Sequence, residues 1–243
     1  MIPAAALPPA ADPAPRLVVA DLEGTCTSGE TWRGVGRWLV AHGRRGRYRR
    51  FLAPRLAALP LVRLGLVSRQ AFRDRWIRDL ARLLDGLGPD EVAEVAADIV
   101  GAVLWPARRA AVVEELEAAA AAGARVVLAS GTYEAVLAAF AERLSPGPAG
   151  PIGILGTPLE VRDGRTTGRL AGPIGTGERK AARVRALAGG ASVVAAYGDS
   201  LADLPLLELA ATPVVVAPDD ELRPVAIARG WRVIEAPPVD APR

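Results

Sequence analysis

The chain has 243 residues, of which 51% are hydrophobic and 23% are charged. It is therefore long enough to bury a core and too apolar to be a disordered polymer, and its length predicts one or two domains. The single cysteine excludes an internal disulfide and a Cys-based metal site, and the single histidine leaves no partner for a His-rich zinc site. Any chemistry must therefore depend on carboxylates, hydroxyls, Arg and the one lysine, Lys180.

Charge is distributed unevenly along the chain. There are 30 basic and 27 acidic residues, and every basic residue except Lys180 is Arg. The segment 33–82 holds 14 Arg and two acidic residues, a local net charge of +12, so the remainder must carry −9 to reach the total of +3. This pattern predicts a basic module on an acidic body.

Residues 1–15 are rich in Pro and Ala, and this composition predicts a flexible tail. A signal peptide is not expected, because no positively charged region precedes an apolar one. Beyond this tail, apolar runs rich in β-branched residues alternate with helical patterns. This alternation predicts an α/β fold with a doubly wound parallel sheet covered by helices on both faces. The predicted strands are 17–20, 125–129, 192–197 and 213–216, and the predicted helices are 107–122, 133–144, 178–187 and 203–210.

Two segments interrupt the alternation. Residues 159–170 alternate around an Asp-Gly turn and predict an exposed hairpin beside the main sheet. Residues 28–105 have a helical pattern and are too long for a simple crossover. We therefore expect a small inserted helical cap domain at 28–105 and a catalytic core made of 16–27 and 106–243.

No segment predicts a membrane-spanning helix. The longest stretch without charge, residues 144–159, has 16 residues that include four Pro and four Gly. A cytoplasmic protein is the expectation, and the sequence does not indicate an oligomeric state.

Polar residues follow the predicted strands at the edge where doubly wound sheets bind ligands. Asp21-Leu22-Glu23-Gly24-Thr25 follows the first strand, Ser130-Gly131-Thr132 the second, and Asp199 to Asp203 a later one, while Lys180 opens the helix before that strand. Carboxylates brought together there would repel each other without a cation, and oxygen ligands suit Mg²⁺. A hydroxyl, backbone N–H groups and a lysine would hold a phosphate. This combination predicts phosphoryl transfer.

These four motifs, in this order over residues 16 to about 220, resemble the haloacid dehalogenase superfamily of phosphatases in its phosphoserine phosphatase branch. The resemblance implies that Asp21 is a nucleophile that becomes an aspartyl phosphate. It also implies a Mg²⁺ site formed by Asp21, the backbone carbonyl of Glu23, Asp199 and, in support, Asp203. Ser130 and Gly131 would bind phosphate, Lys180 would bridge phosphate and nucleophile, and the insertion would be the helical cap that closes over the substrate.

Local structural roles are also open for some of these residues. Ser130 could cap a helix that begins near Tyr133, and Asp203 could cap the helix at 204–210.

One departure from the family pattern is Glu23, where the family usually has an aspartate that acts as general acid and then general base. A carboxyl group on a longer side chain can still transfer protons, and some family members resemble this form. We therefore expect an active enzyme, with phosphotransfer to an alcohol as an alternative to hydrolysis.

Several cap residues are candidates for contact with the rest of the substrate. Glu30 resembles a family glutamate that meets a substrate ammonium, although an acid in a first helical turn also stabilises the helix dipole. A substrate carboxylate would need an Arg from the cap. The sequence offers Arg55, Arg63, Arg69 and Arg73 and does not rank them.

The basic stretch 44–51 has three interpretations: a solvated helix face, attraction of an anionic substrate, or peripheral contact with an anionic membrane. The apolar residues that adjoin it, and that favour the third interpretation, are Leu56, Leu59, Leu61 and Val62. Nucleic acid is not expected, because few stacking aromatics lie in the stretch.

The sequence thus predicts a Mg²⁺-dependent phosphatase for a small phosphorylated metabolite, with a phosphoserine-like substrate first. A lipid or glycerol-type phosphate at a membrane surface is the main alternative, and a binding protein without activity is a further one.

Overall fold

The structure is a computed structural model that describes residues 16–235, without the side chains of Arg63 and Arg69. The predicted tail at 1–15 lies outside the described residues. Within them, the main sheet has six parallel strands in the order β3-β2-β1-β6-β7-β8. With strands and helices numbered in chain order, these are β1 Arg16–Ala20, β2 Arg125–Tyr133, β3 Gly153–Thr157, β6 Ser192–Gly198, β7 Thr212–Val216 and β8 Arg232–Ile234.

The central strand β1 is buried on both faces of the sheet. Leu17 and Val19 pack in one hydrophobic cluster, whereas Val18 and Ala20 pack in the other. Because side chains alternate across a strand, a continuous apolar run is what a strand covered on both faces requires. The predicted doubly wound sheet is therefore confirmed. Its flanking helices are α5 Ala110–Ala121, α6 Glu134–Ala141, α7 Gly177–Ala188, α8 Leu204–Leu207 and α9 Leu222–Ala228.

The helical segment 28–105, which we call the cap, lies between β1 and β2 in the chain. Its helices are α1 Thr31–Ala41, α2 Arg45–Arg63, α3 Arg69–Ala81 and α4 Pro89–Ile99. The centre of the cap is aromatic, since Trp76 meets Trp32, Phe51 and Phe72 edge-on with ring centroids 5.5, 5.6 and 5.5 Å away. Such aromatic pairs stabilise the packing by more than the burial of their apolar surface alone.

The predicted hairpin is present as β4 Leu159–Arg162 and β5 Arg165–Leu170. It is not merely an exposed appendage beside the sheet, because Thr166 is buried against the cap. The Gly86 N–H donates to the Thr166 carbonyl at 2.8 Å, and the Thr166 N–H donates to the Leu87 carbonyl at 2.9 Å. The hairpin therefore joins the core to the cap through backbone hydrogen bonds.

None of the helices described between residues 16 and 235 combines the length and apolar character needed to cross a membrane.

Candidate active site

The candidate site lies at the carboxyl ends of three neighbouring strands. β1 pairs with β2 on one side and with β6 on the other. Asp21 follows β1, Ser130 lies near the end of β2, and Asp199 follows β6. Because parallel strands end at the same edge, residues far apart in sequence meet there.

Lys180 joins two of the carboxylates at this edge. Its Nζ donates to Oδ1 of Asp21 and to Oδ1 of Asp203, each at 2.6 Å, and all three side chains are buried. Burial alone would lower the pKa of Lys180, but the two carboxylates outweigh it and leave that pKa above its ordinary value. The ammonium group therefore stays charged at neutral pH.

Asp21, Asp199 and Asp203 form a group that could hold a metal ion, since one oxygen of each lies within 4.8 Å of the others. Burial, with the Asp203 and Asp21 carboxylates, raises the pKa of Asp199 to about 8. Burial also raises the pKa of Asp21, and Lys180 offsets only part of this. The single positive charge of Lys180 thus cannot balance the negative charges of three ionised carboxylates. A divalent cation with oxygen preference, such as Mg²⁺, fits this donor set.

Gly24 is required by the close approach of Asp199 to the loop after β1. Its φ of 93° is in the left-handed region, and a Cβ added there would lie 2.2 Å from Oδ2 of Asp199. The Thr25 hydroxyl donates to Oδ1 of the same carboxylate at 3.1 Å. The Gly-Thr pair thus makes room for Asp199 and orients it.

Asp203 orients Lys180 and accepts hydrogen bonds from the loop in which it lies. Its Oδ2 accepts from the backbone N–H groups of Asp199 and Ser200, both at 3.3 Å. Burial raises the pKa of Asp203, but Lys180 and these N–H groups outweigh burial and lower it. Asp203 occupies the N-cap position of α8, but its side chain makes no capping hydrogen bond to that helix and instead forms a capping box with Ser200 in the preceding turn.

Glu23 lies next to Asp21 in the loop that follows β1. Burial raises its pKa to about 7, while hydrogen bonds from Thr31 oppose the rise and the Asp21 carboxylate adds to it. A carboxyl group with this pKa exchanges its proton readily at neutral pH, as a general acid and base must.

Ser130 and Gly131 face the site from β2. The Ser130 hydroxyl accepts from the Thr132 N–H at 3.5 Å. The alternative that Ser130 caps a helix near Tyr133 is wrong, because β2 continues to Tyr133 and α6 has no side-chain cap. A Cβ on Gly131 would lie 2.6 Å from Cγ2 of Thr176, so this close approach needs glycine.

A cavity of about 790 Å³ lies above these residues. Its core side is polar and includes Asp21, Glu23, Ser130, Lys180 and Asp199. Its cap side is largely apolar and includes Leu56, Leu59, Val62, Trp32, Phe72, Trp76, Ile77 and Leu80. The site therefore combines a charged floor with an apolar roof.

The polar cap residues differ in their access to this cavity. Glu30 lines it and pairs with Arg33, whose Nε lies 2.6 Å from Oε2. Arg73 also lines it and forms no hydrogen bond or ion pair with the described residues. Arg55 is instead paired with Asp79 inside the cap and does not line the cavity, so its candidacy for substrate contact is wrong. The side chains of Arg63 and Arg69 lie outside the described part.

Two further Arg residues at the site were not singled out from the sequence. Arg33 lines the cavity beside Glu30, and its position three residues further along α1 is the signal that could have revealed it. Arg109 donates from Nε to the Gly24 carbonyl at 3.0 Å. The chain offers no local signal for this contact, because the two residues are 85 positions apart.

A parallel sheet with acidic residues at its carboxyl edge, a lysine bridging two of them and a helical insertion after the first strand define a hydrolase of the haloacid dehalogenase class. Residues 18–208 match the family model of haloacid dehalogenase-like hydrolases, and the chain belongs to this family.

Phosphoserine phosphatase SerB1 of Mycobacterium tuberculosis is 37% identical over 160 residues, which are 64% of this chain and 47% of that protein. The chain thus spans about half the length of this relative. A solved protein of unknown function from Bordetella pertussis Tohama I superposes with a TM-score of 0.74 and 26% identity over 92% of this chain and 99% of its own. An apo phosphoserine phosphatase has the same fold, with a TM-score of 0.60 and 16% identity over 91% and 94% of the two chains.

Proposed function

We propose that the protein is a Mg²⁺-dependent phosphomonoester hydrolase that works through an aspartyl phosphate on Asp21. The observation that carries this proposal is the buried Lys180 held 2.6 Å from both Asp21 and Asp203, with Asp199 in the same acidic group. Mg²⁺ held by Asp21, Asp199, Asp203 and the Glu23 carbonyl would neutralise charge on the phosphoryl oxygens.

The residues of the chain account for both steps of such a hydrolysis. Lys180 keeps Asp21 oriented and offsets its charge as an Asp21 oxygen forms a bond to phosphorus and the ester P–O bond breaks. Glu23 donates its proton to the leaving oxygen. It then takes a proton from water, whose oxygen attacks phosphorus and releases phosphate from Asp21. Ser130 and the Gly131 N–H would bind the remaining phosphoryl oxygens.

The direct test is phosphate release from a panel of phosphate esters with Mg²⁺, which includes p-nitrophenyl phosphate and phosphoserine. We expect turnover that EDTA abolishes and that Asp21→Asn reduces by several orders of magnitude. A folded protein that is inactive towards the whole panel would instead support a binding role without activity.

Phosphoserine is the first substrate candidate. It is supported by the similarity to SerB1 and by Glu30, which lines the cavity where a substrate ammonium would need an acid. The Arg73 guanidinium, which lacks a partner among the described residues, would suit the substrate carboxylate. Arg73→Ala should then raise KM for phosphoserine about tenfold or more and leave p-nitrophenyl phosphate nearly unaffected.

An amphiphilic phosphate, such as a lipid or glycerol-type ester, is the second candidate. The observation that favours it is the apolar lining on the cap side of the cavity, which would suit an alkyl chain. The volume of about 790 Å³ is also high in the usual range of ~300–1,000 Å³ for small-molecule sites, so it leaves room for such a chain. A series of butyl, octyl and dodecyl phosphates separates the candidates. A value of kcat/KM that rises with chain length, and falls back in Leu59→Ser, supports the amphiphile, and a flat series supports the small metabolite.

Because Glu23 replaces the usual aspartate, transfer of the phosphoryl group to an alcohol is an alternative to its transfer to water. If the enzyme is a phosphotransferase, the rate of substrate loss in the presence of added glycerol should exceed the rate at which free phosphate is released. Equal rates of substrate loss and phosphate release would identify water as the acceptor.

A further inference from the structure

A second cavity, of about 410 Å³, lies between the cap and the core. Four Arg residues from three parts of the fold converge on it, together with one acid, Asp74. We call it the arginine cavity. The four residues are Arg78 in the last turn of α3, Arg82 directly after α3, Arg169 on β5 and Arg179 in the first turn of α7, and all four are exposed.

Acidic residues around this cavity balance only part of its positive charge. Asp74 accepts a hydrogen bond from Gln70 at 2.7 Å and lies 3.9 Å from Arg78, whereas Arg82 is paired with Asp79. Arg169 interacts electrostatically with Glu160 of the same hairpin, whereas Arg179 forms no ion pair or hydrogen bond within residues 16–235. Asp85 packs beside Gly168 at the edge but does not line the cavity.

This arrangement differs from the general excess of Arg in the chain. The Arg residues of α2 share a single helix, whereas those of the arginine cavity come from separate elements that surround one concave space. Guanidinium groups that converge in a cleft repel each other and attract anions, and each group can bind two oxygens of a phosphate or carboxylate.

We propose that the arginine cavity binds a small polyphosphate anion with at least two phosphate groups. One phosphate would contact Arg78 and Arg82 from the cap, and the other Arg169 and Arg179 from the core. Leu170, Pro173 and Ile174 complete the lining and leave room for a small apolar portion of the ligand.

Such a ligand would connect the cap to the active site. The other face of α3 carries Phe72 and Trp76 into the active-site cavity, while Arg179 directly precedes Lys180 on α7. An anion held by α3, β5 and α7 would therefore fix the cap helix relative to the helix that presents the lysine. The site is separate from the proposed phosphatase activity and does not depend on it.

The test is calorimetric titration of the full chain with inorganic pyrophosphate in EDTA at constant ionic strength. We expect saturable binding of one pyrophosphate per chain. The double variant Arg169→Glu and Arg179→Glu should weaken this binding at least tenfold. Arg185→Glu is the matched control, because Arg185 is an exposed residue of α7 that does not line the cavity, and we expect a change of less than twofold.

Three results would overturn the proposal. They are the absence of saturable binding up to millimolar pyrophosphate, equal losses in the cavity variant and in Arg185→Glu, and a tenfold loss in Ser130→Ala, which would place the anion in the active-site cavity instead. Should the double variant fail to show the parent's cooperative thermal unfolding, the single change Arg179→Gln provides the same comparison.

Discussion

At the scale of single residues, the proposal gives Glu23 the transfer of protons to the leaving oxygen and from water. Its carboxyl group has a pKa of about 7 and lies in the same cavity as Asp21. We expect Glu23→Gln to lose most turnover and to accumulate phosphoenzyme, because the amide can neither protonate the leaving oxygen nor activate water.

Acid-quenched labelling with ³²P-substrate, or intact mass spectrometry, measures this phosphoenzyme. The substrate should have a good leaving group, such as p-nitrophenyl phosphate, so that the first step proceeds without the acid. Glu30→Gln, at the rim of the same cavity, is the matched control and should accumulate none. Hydrolysis by Glu23→Gln at the parent rate would show that Glu23 does not have the proposed role.

Residues at strand ends were the part of the site that the sequence could predict. A strand buried on both faces has a recognisable apolar run, so Asp21, Ser130 and Asp199 could be placed at a common edge before any coordinates were known. Contacts such as Arg109 with Gly24 could not be predicted, because they depend on how the cap returns to the core and not on any local pattern.

At the scale of elements, the hairpin fastens the core to the cap through one buried threonine. The Thr166 hydroxyl accepts from the Leu87 N–H at 2.9 Å and donates to the Leu84 carbonyl. Thr166→Val would leave that N–H buried without a partner, at a cost of about 1–3 kcal/mol in the free energy of unfolding.

Urea denaturation measures this loss, and hydrogen exchange at the Leu87 amide reports whether it is local to the junction. Thr167→Val is the matched control, because the Thr167 hydroxyl bonds only within the hairpin, to Glu160. If both variants lose the same stability, the hairpin does not fasten the cap in the way described.

The end of the sheet gives a pH-dependent contribution to stability. Glu115 on α5 accepts from Arg232 on β8 and from the Tyr197 hydroxyl, both at 2.8 Å. The hydrogen bond from Arg232 lowers the pKa of Glu115 below its ordinary value of 4.5. The ionised form is therefore favoured by folding. Its stabilisation is present above about pH 4.5 and is lost as the pH falls through the lowered value.

Glu115→Gln should accordingly reduce the free energy of unfolding by about 0.2–1 kcal/mol at pH 7, since the pair is partly solvated. The difference from the parent protein should shrink as the pH falls below about 4.5. Urea denaturation at several pH values checks this, with the exposed neighbour Glu114→Gln as control. A difference that stays constant with pH would exclude an electrostatic origin.

The strands and helix missed from the sequence lie at the two margins of the sheet. β3 contains two glycines and lies in a segment rich in Pro and Gly, and β8 has only three residues. Such short segments carry too few residues for an apolar period to emerge. α9 has only seven residues and contains a proline, so the helical pattern of this segment was also weak. Pairing with β2 and β7 determines these edge strands, and pairing is a tertiary property.

At the scale of the whole molecule, the cap concentrates positive charge next to exposed leucines. Leu64 and Leu66, between α2 and α3, are 72% and 71% exposed. If the basic stretch contacts membranes, the protein should sediment with anionic phospholipid vesicles at physiological salt and much less with neutral ones, because Arg residues attract the surface and leucines insert into it.

The double change Leu64→Glu and Leu66→Glu should reduce vesicle binding at least fivefold. Ile227→Glu is the matched control, since Ile227 is 70% exposed on α9 of the core and should make no difference. Binding that is equal for neutral and anionic vesicles, or equally lost in both variants, would exclude the membrane interpretation of the basic stretch.

The near absence of lysine has a practical consequence for studying this molecule. Lys180 carries the chain's only ε-amino group, and in the folded protein that side chain is 4% exposed and engaged by two carboxylates. Reagents that acylate amines should therefore find no accessible ε-amino group in the native state. Acylation of Lys180 then becomes a direct chemical measure of how often the active site opens, without any probe being introduced into the chain.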